Sequence, residues 1–185
     1  MDDGQQSSSG GARPSSSSNN NSNSSGSMTA ELDPVLHSIG FEIGEVSPSQ
    51  LTGRLPVTAK CCQPFQVLHG GVSAMVSEAL ASMGAHMASG YRRVAGVSLN
   101  INHFRSAAVG DVVLARAAPV HVGRSTQVWE VKLWKQDPST QGKGPQISES
   151  RVTLLCNLPV PDNLKHAGDA LKKYAQAGRT TTSRL

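Results

Sequence analysis

The stretch from Gln63 to Ser82, QPFQVLHGGVSAMVSEALAS, gathers the residue types that could act together on a carbonyl: Gln63, His69, the pair Gly70-Gly71, Glu78 and Ser82. Glu78 is the only Asp, Glu, Lys or Arg between Gln63 and Tyr91. An isolated carboxylate in so apolar a segment calls for a reason, and chemistry is one. A turn that delivers His69 and two glycines to the start of a helix leaves a backbone amide pointing outward with the helix dipole behind it. Gly70 lets a substrate approach that amide with no side chain in the way. A carboxylate about two turns further along can attack a carbonyl or deprotonate water, and the sequence leaves both roles open. Ser73, Ser77 and Ser82 invite a serine-nucleophile reading, but no G-x-S-x-G elbow or acid partner accompanies them.

These residues need a helix to hold them. From Val72 the apolar positions Val72, Met75, Val76, Ala79, Leu80 and Met83 repeat as one helical stripe. Glu78 falls roughly opposite Val76, on a second face of small residues with Gly71, Ala74 and Ser82. One face packs and the other leaves room for a substrate. The helix is expected from about Gly70 to Ala88, closed by Ser89-Gly90.

Around it the chain reads as strands. A short helix over 29–39 stops at Gly40, and strands over 41–46 and 51–57 follow. After the central helix come strands over 94–106, 111–123 and 125–137, a hairpin loop over 137–145 and a last strand to 158. In the strand after Arg93, Val97, Leu99, Ile101 and His103 share one side. The amphipathic LKHAGDALKKYAQ beyond Pro159 is at best a peripheral helix. This order implies an α+β domain, a curled antiparallel sheet wrapped around one central helix. There is no alternating βαβ, no GxGxxG and no GKS/T.

Residues 1–28 hold no aromatic, aliphatic or β-branched residue between their two methionines except Ala12, and are expected to be a disordered Ser/Asn/Gly-rich tail. One domain over 29–158 and a C-terminal tail over 159–185 complete the organisation. Asp2 and Asp3 argue against a cleaved transit peptide, and no apolar run is long enough for a membrane span. The net charge of +4 is scattered along the chain and aromatic residues make up 4%, so nucleic-acid binding is not expected. Three cysteines without CxxC or His-rich spacing imply a reduced compartment and no structural metal.

Three segments, in order, carry a resemblance: QPFxxLHGG…E around Gln63, His69, Gly70, Gly71 and Glu78; NINHFRSA around Asn102, His103 and Arg105; and HVGRSTQVWEV around Arg124, Ser125 and Thr126. Over residues 29–158 the chain resembles the hot-dog-fold acyl-CoA thioesterases, in the branch typified by bacterial 4-hydroxybenzoyl-CoA and 1,4-dihydroxy-2-naphthoyl-CoA thioesterases. The resemblance implies a homo-oligomer, a dimer of dimers or homotetramer with paired active sites at a dimer interface. It implies no metal or organic cofactor, CoA being part of the substrate. Glu78 then takes the place of the catalytic carboxylate and Gly70 of the oxyanion donor, with His69 and Gln63 as supporting polar groups and Ser82 as a hydroxyl that helps place water. Gly71, His103, Arg105, Arg124, Ser125 and Thr126 correspond to substrate or CoA-binding positions, His103 with a structural or dimer-edge reading beside it.

The implied reaction is hydrolysis of an aromatic acyl-CoA, 1,4-dihydroxy-2-naphthoyl-CoA of phylloquinone (vitamin K1) synthesis, to free acid and CoA. Thiolate leaves readily, so a full catalytic triad is not expected. The acyl pocket is expected among interface side chains near Phe65, Val67 and Met87. A medium- or long-chain fatty acyl-CoA thioesterase is the alternative enzyme, and a non-catalytic acyl-CoA-binding hot-dog protein the alternative of another class. Ser183-Arg184-Leu185 resembles the S-K-L peroxisomal address, which implies a peroxisomal location and an import receptor as partner.

Overall fold

The computed structural model describes residues 27–181. The terminal tripeptide and the expected tail, save Ser27 and Met28, lie outside the described residues.

The strand that crosses the core shows why the sheet has two unlike faces. In β5 (Thr126–Gln136) Gln127, Trp129, Val131 and Leu133 are buried while Val128, Glu130, Lys132 and Trp134 are half exposed, following the alternation written in TQVWEVKLWKQ. β1 (Glu42–Val46), β2 (Leu51–Pro56), β3 (Arg93–His103), β4 (Val112–Val122) and β6 (Lys143–Leu158) join it in one antiparallel sheet ordered β1-β2-β4-β5-β6-β3. On the outer face Lys132 and Arg151 alternate with Glu130 and Glu149 in a ladder of ion pairs. The inner face closes over one long helix, α3 (Gly70–Ala88), which is the curled α+β hot-dog arrangement the sequence implied.

α3 sits closer to the sheet than its apolar stripe suggests. Its buried positions include Ser73, Ser77, Ala81, Gly84 and Ala85, whereas Val72, Met75 and Met83 are only partly covered. The contact face is rotated from the expected stripe because small residues permit close approach. At Gly84 a Cβ would stand 2.4 Å from the Trp129 ring. Ser77 joins the sheet directly, its hydroxyl 2.7 Å from that of Ser150 and donating to the Ser73 carbonyl at 2.8 Å.

The N-terminal helix expected over 29–39 is two short ones, α1 (Met28–Leu32) and α2 (Pro34–Ser38). Pro34 forces Asp33 into an extended conformation (φ −153°, ψ 95°), and the Asp33 carboxylate then caps α2 by accepting from the Val35 and Leu36 amides. The peripheral helix is real: α4 (Asp169–Thr181) buries Leu171 and Ala175 in the core cluster. Lys173 pairs with Glu31 of α1 at 2.9 Å.

β3 is an edge strand. Its residues are exposed or half-exposed on both faces, among the described residues it pairs only with β6, and Val97 (54%) and Leu99 (37%) are open to solvent. A long, bare edge of this kind invites another strand.

Candidate active site

The turn ahead of α3 is tied down by its own backbone. The Gln63 amide donates to the Val67 carbonyl, the Gln66 amide to the Gln63 carbonyl, and the His69 amide to the Cys61 carbonyl, each at 2.9 Å. Gln66 takes a positive φ of 61° to close the loop. The Gln63 side-chain oxygen accepts from the Phe65 amide at 2.7 Å, leaving its NH₂ group without an acceptor among the described residues. Cys62, next in the chain to Gln63, has its thiol pushed above the ordinary range by burial and by Cys61 beside it, the reverse of an activated nucleophile.

His69 is the N-cap of α3. Its Nδ1 accepts from the Gly71 amide at 2.9 Å, so that nitrogen is bare and the proton sits on Nε2. The two glycines serve different ends. A Cβ on Gly71 would stand 3.0 Å from Nδ1 and obstruct the cap; a Cβ on Gly70 would stand 3.3 Å from Cε1 of His103, whose ring comes across from β3. The Gly70 amide itself has no acceptor among the described residues and opens outward at the helix start.

Glu78 is exposed, and its carboxylate lies over β3 in a hollow formed with Gly96, Val97, Ser98 and Leu99. Ser82, one turn on, donates to Oε1 at 2.6 Å, which leaves Oε2 free to react. Gly96 escaped the sequence reading, although a glycine inside a strand pattern signals close approach by another group. Ser73 and Ser77 are buried in the helix–sheet contact and cannot meet a substrate.

Two of the expected groupings do not form within one chain. Gly70 and Glu78 are eight residues apart on α3, about 12 Å of helical rise. An oxyanion donor and an attacking group for one carbonyl must each come within roughly 3 Å of it. Arg105 donates to the Gln146 carbonyl at 3.0 Å, beside the His103 end of β3, and Gln146 is in register with Trp134. Arg124, Ser125 and Thr126 stand at the other end of β5, about 26 Å away along the strand. There the Asn157 side chain donates to the Arg124 carbonyl and the Cys156 amide to that of Ser125.

The three side chains expected to flank an acyl pocket at a subunit interface lie on different parts of one chain. Phe65 is 86% exposed on the turn before α3, Val67 bridges to Ala108, and Met87 is buried in the last turn of the helix. Among the described residues no three His, Cys, Asp or Glu side chains stand close enough to hold a metal ion, and no helix is long and apolar enough to cross a membrane.

Residues 65–141 match the sequence model of the thioesterase superfamily. The chain is 53% identical over 143 residues to 1,4-dihydroxy-2-naphthoyl-CoA thioesterase 2 of Arabidopsis thaliana, spanning 77% of this chain and 91% of that protein. It is 42% identical over 97 residues to a 1,4-dihydroxy-2-naphthoyl-CoA hydrolase of Listeria monocytogenes, spanning 52% of this chain and 78% of that one. Among solved structures, a thioesterase from Haemophilus influenzae superposes with a TM-score of 0.57 at 32% identity, covering 69% of this chain and 86% of the other.

Proposed function

We propose that this chain, which belongs to the thioesterase superfamily, hydrolyses an aromatic acyl-CoA, 1,4-dihydroxy-2-naphthoyl-CoA, to the free acid and CoA. The observation that carries the reading is the likeness to the Arabidopsis enzyme over nearly its whole length. The site chemistry agrees with it: an exposed carboxylate held by one hydroxyl, and an unpaired amide at a helix start.

The 12 Å gap between Gly70 and Glu78 argues that two copies of the chain build each site. A second copy paired antiparallel along the bare edge of β3 sets its helix antiparallel to α3. With the two-fold axis near Ala74, midway between Gly70 and Glu78, each Glu78 meets Gly70 of the partner subunit. The thioester oxygen then takes the amide of one chain while Oε2 of the other attacks the carbonyl or deprotonates water. The neutral His69 Nε2–H and the Gln63 amide are donors ahead of the same helix start. The same symmetry brings the Arg105 end of one copy to the Arg124, Ser125 and Thr126 end of the other, a basic cradle for CoA phosphates. No metal or organic cofactor enters this scheme.

The proposal extends to a dimer of dimers and to a product acid that feeds phylloquinone synthesis. Peroxisomal import through Ser183-Arg184-Leu185 is part of it, and a tagged chain lacking Leu185 that still entered peroxisomes would remove that part. The catalytic reading is tested by CoA release from naphthoyl, benzoyl and fatty acyl thioesters with wild type and Glu78→Ala. Turnover of the naphthoyl substrates, lost in the variant, is the expected result; wild-type turnover by Glu78→Ala would overturn it. Mixing Glu78→Ala with a Gly70→Pro chain, which lacks the amide hydrogen, gives heterodimers that regain one intact site. Absence of any recovered activity on mixing would sink the shared-site arrangement.

A further inference from the structure

The bare edge of β3 is irregular where it meets the site. Gly96 lies opposite Leu154 of β6 and Ser98 opposite Thr153, so Val97 is an extra residue bulged out of the ladder. From Leu99 to His103 the strand faces Val152 back to Ser148 in unbroken register. Leu154, Val152, Ser150 and Ser148 are buried on the inner face, whereas Arg151 and Glu149 belong to the outer ladder of ion pairs. Gly96, Leu99, Ile101 and His103 therefore face α3, and Ser98, Asn100 and Asn102 face outward. The alternation expected from Val97 holds only from Leu99 on.

Two contacts mark the ends of this segment. The Glu78 carboxylate stands over Gly96, and the His103 ring stands over Gly70. On α3 the residue midway between Gly70 and Glu78 is Ala74. On β3, counted by partners on β6, the residue midway between Gly96 and His103 is Asn100, three places from each. One two-fold axis through both midpoints satisfies helix and strand together. A pairing shifted by one residue would turn the second helix to the other face of the sheet, away from α3. The outward asparagines suit the axis as well. Asn102 Nδ2 donates to Asn100 Oδ1 at 3.3 Å, and Asn100 Nδ2 has no acceptor among the described residues.

We infer that β3 pairs antiparallel with β3 of a second copy in the register that sets Asn100 opposite Asn100 of the partner subunit, and that His103 of the partner subunit is thereby placed against the Glu78 carboxylate as its positioning residue. The inference rests on the thioesterase reading above and gives the shared site its register and one further member. Gly96 then lies opposite the partner's His103 on the helix side of the sheet, where such neighbours stand about 4.5–5.5 Å apart at Cβ. Gly96 has no Cβ, and the carboxylate occupies that space. A ring N–H of the partner's His103 holds the carboxylate together with the Ser82 hydroxyl, so the acid is tethered from both chains.

Cross-linking reads the register without reference to activity. Residues opposite each other in an antiparallel pair have Cα atoms about 4.5–5.5 Å apart, within disulfide reach. Under diamide, Asn100→Cys should link to a second copy of itself. Ser98→Cys and Asn102→Cys should not link alone, but co-expressed they should link to each other. Wild type, with its three free cysteines, is the control. No link in Asn100→Cys, or a link in Ser98→Cys or Asn102→Cys alone, overturns the register.

The role of His103 is read by CoA release from a naphthoyl thioester. His103→Phe keeps a ring over Gly70 without an N–H, and should lower kcat about tenfold with KM within about twofold. His103→Gln, which keeps a donor, should recover part of the loss. Glu78→Ala on the Ser98→Cys chain is then linked to His103→Phe on the Asn102→Cys chain. Its kcat per remaining Glu78 should equal that of the same link between otherwise wild-type chains, because that Glu78 meets an intact His103 from the other chain. A value no higher than that of His103→Phe assigns His103 to the Glu78 of its own chain and overturns the inference, as does full kcat in His103→Phe. If wild type cleaves no thioester, the thioesterase reading fails and the role of His103 with it, while the cross-links still decide the register.

Discussion

The carboxylate of Glu78 rests on the backbone of Gly96, where an added methyl group would stand 3.1 Å from Oε1. Gly96 does not have a positive φ, so alanine fits the strand conformation there. What alanine does not fit is the carboxylate, which Ser82 grips at 2.6 Å and which must shift by a few tenths of an ångström. Gly96→Ala should therefore lower kcat by about tenfold, as small misplacements of a reacting group do, while the melting temperature stays within a few degrees. Steady-state CoA release and a thermal melt check it; full kcat in a folded variant would show that Gly96 does not set the carboxylate.

How much of this was legible in the sequence depends on whether the information is local. The alternation in β5 and the glycine turn ahead of α3 are local, and both were readable. Asp33 splitting the first helix was readable too, since Pro34 constrains its neighbour, but the 29–39 pattern hid it. The buried side of α3 was not, because a helix apolar nearly all round leaves its contact face to be chosen by Gly84 and Trp129 across the sheet. Gly96 and Gly168 matter for what approaches them from other elements, Glu78 and His86, which no window of sequence contains. The separation of Arg105 from Arg124 follows from the β5–β6 register, a long-range property. The amphipathic pattern of α4 was readable, but not that its Leu171 and Ala175 pack into the core cluster, which depends on surfaces far away in the sequence.

His69 caps α3 through Nδ1, so its removal should be felt in stability as well as activity. His69→Ala should cost about 1 kcal/mol, the usual value of an N-cap, and His69→Asn should recover most of that because asparagine also accepts from the first turn. Urea unfolding midpoints read the two variants. Equal losses in both would mean that the imidazole contributes by packing and not by capping.

Gly84 offers a test of sign. In an exposed helix interior, glycine to alanine stabilises by about 1 kcal/mol. Here the new methyl would lie 2.4 Å from Cη2 and Cζ3 of the fully buried Trp129 and 2.9 Å from Leu51. Overpacking of this kind costs about 1–3 kcal/mol, so Gly84→Ala should destabilise and shift the tryptophan emission. A variant more stable than wild type would show that α3 can move off the sheet at little cost.

Asp111 ties the site loop to the sheet, and it does so through its charge. Its Oδ2 meets Lys135 Nζ at 2.7 Å and accepts from the Ala108 amide at 2.7 Å. Ala108 in turn bridges to Val67, in the turn ahead of α3. Partial burial pushes the Asp111 carboxyl up, but the hydrogen bonds from Lys135 and the Ala108 amide, with the Lys135 charge, outweigh it and hold the group below its ordinary range. A depressed carboxylate contributes stability that is present above the unfolded-state value near ~3.9 and is lost as the pH falls through the folded value. Asp111→Asn should therefore be less stable than wild type at pH 7 and at pH 5. The difference should begin to shrink near ~4 and close at lower pH, once the wild-type carboxyl is protonated. Urea midpoints of both proteins at pH 7, 5 and 3.5 measure this, and a gap that stays constant across the series would assign the effect to the shape of the loop and not to the charge that holds it.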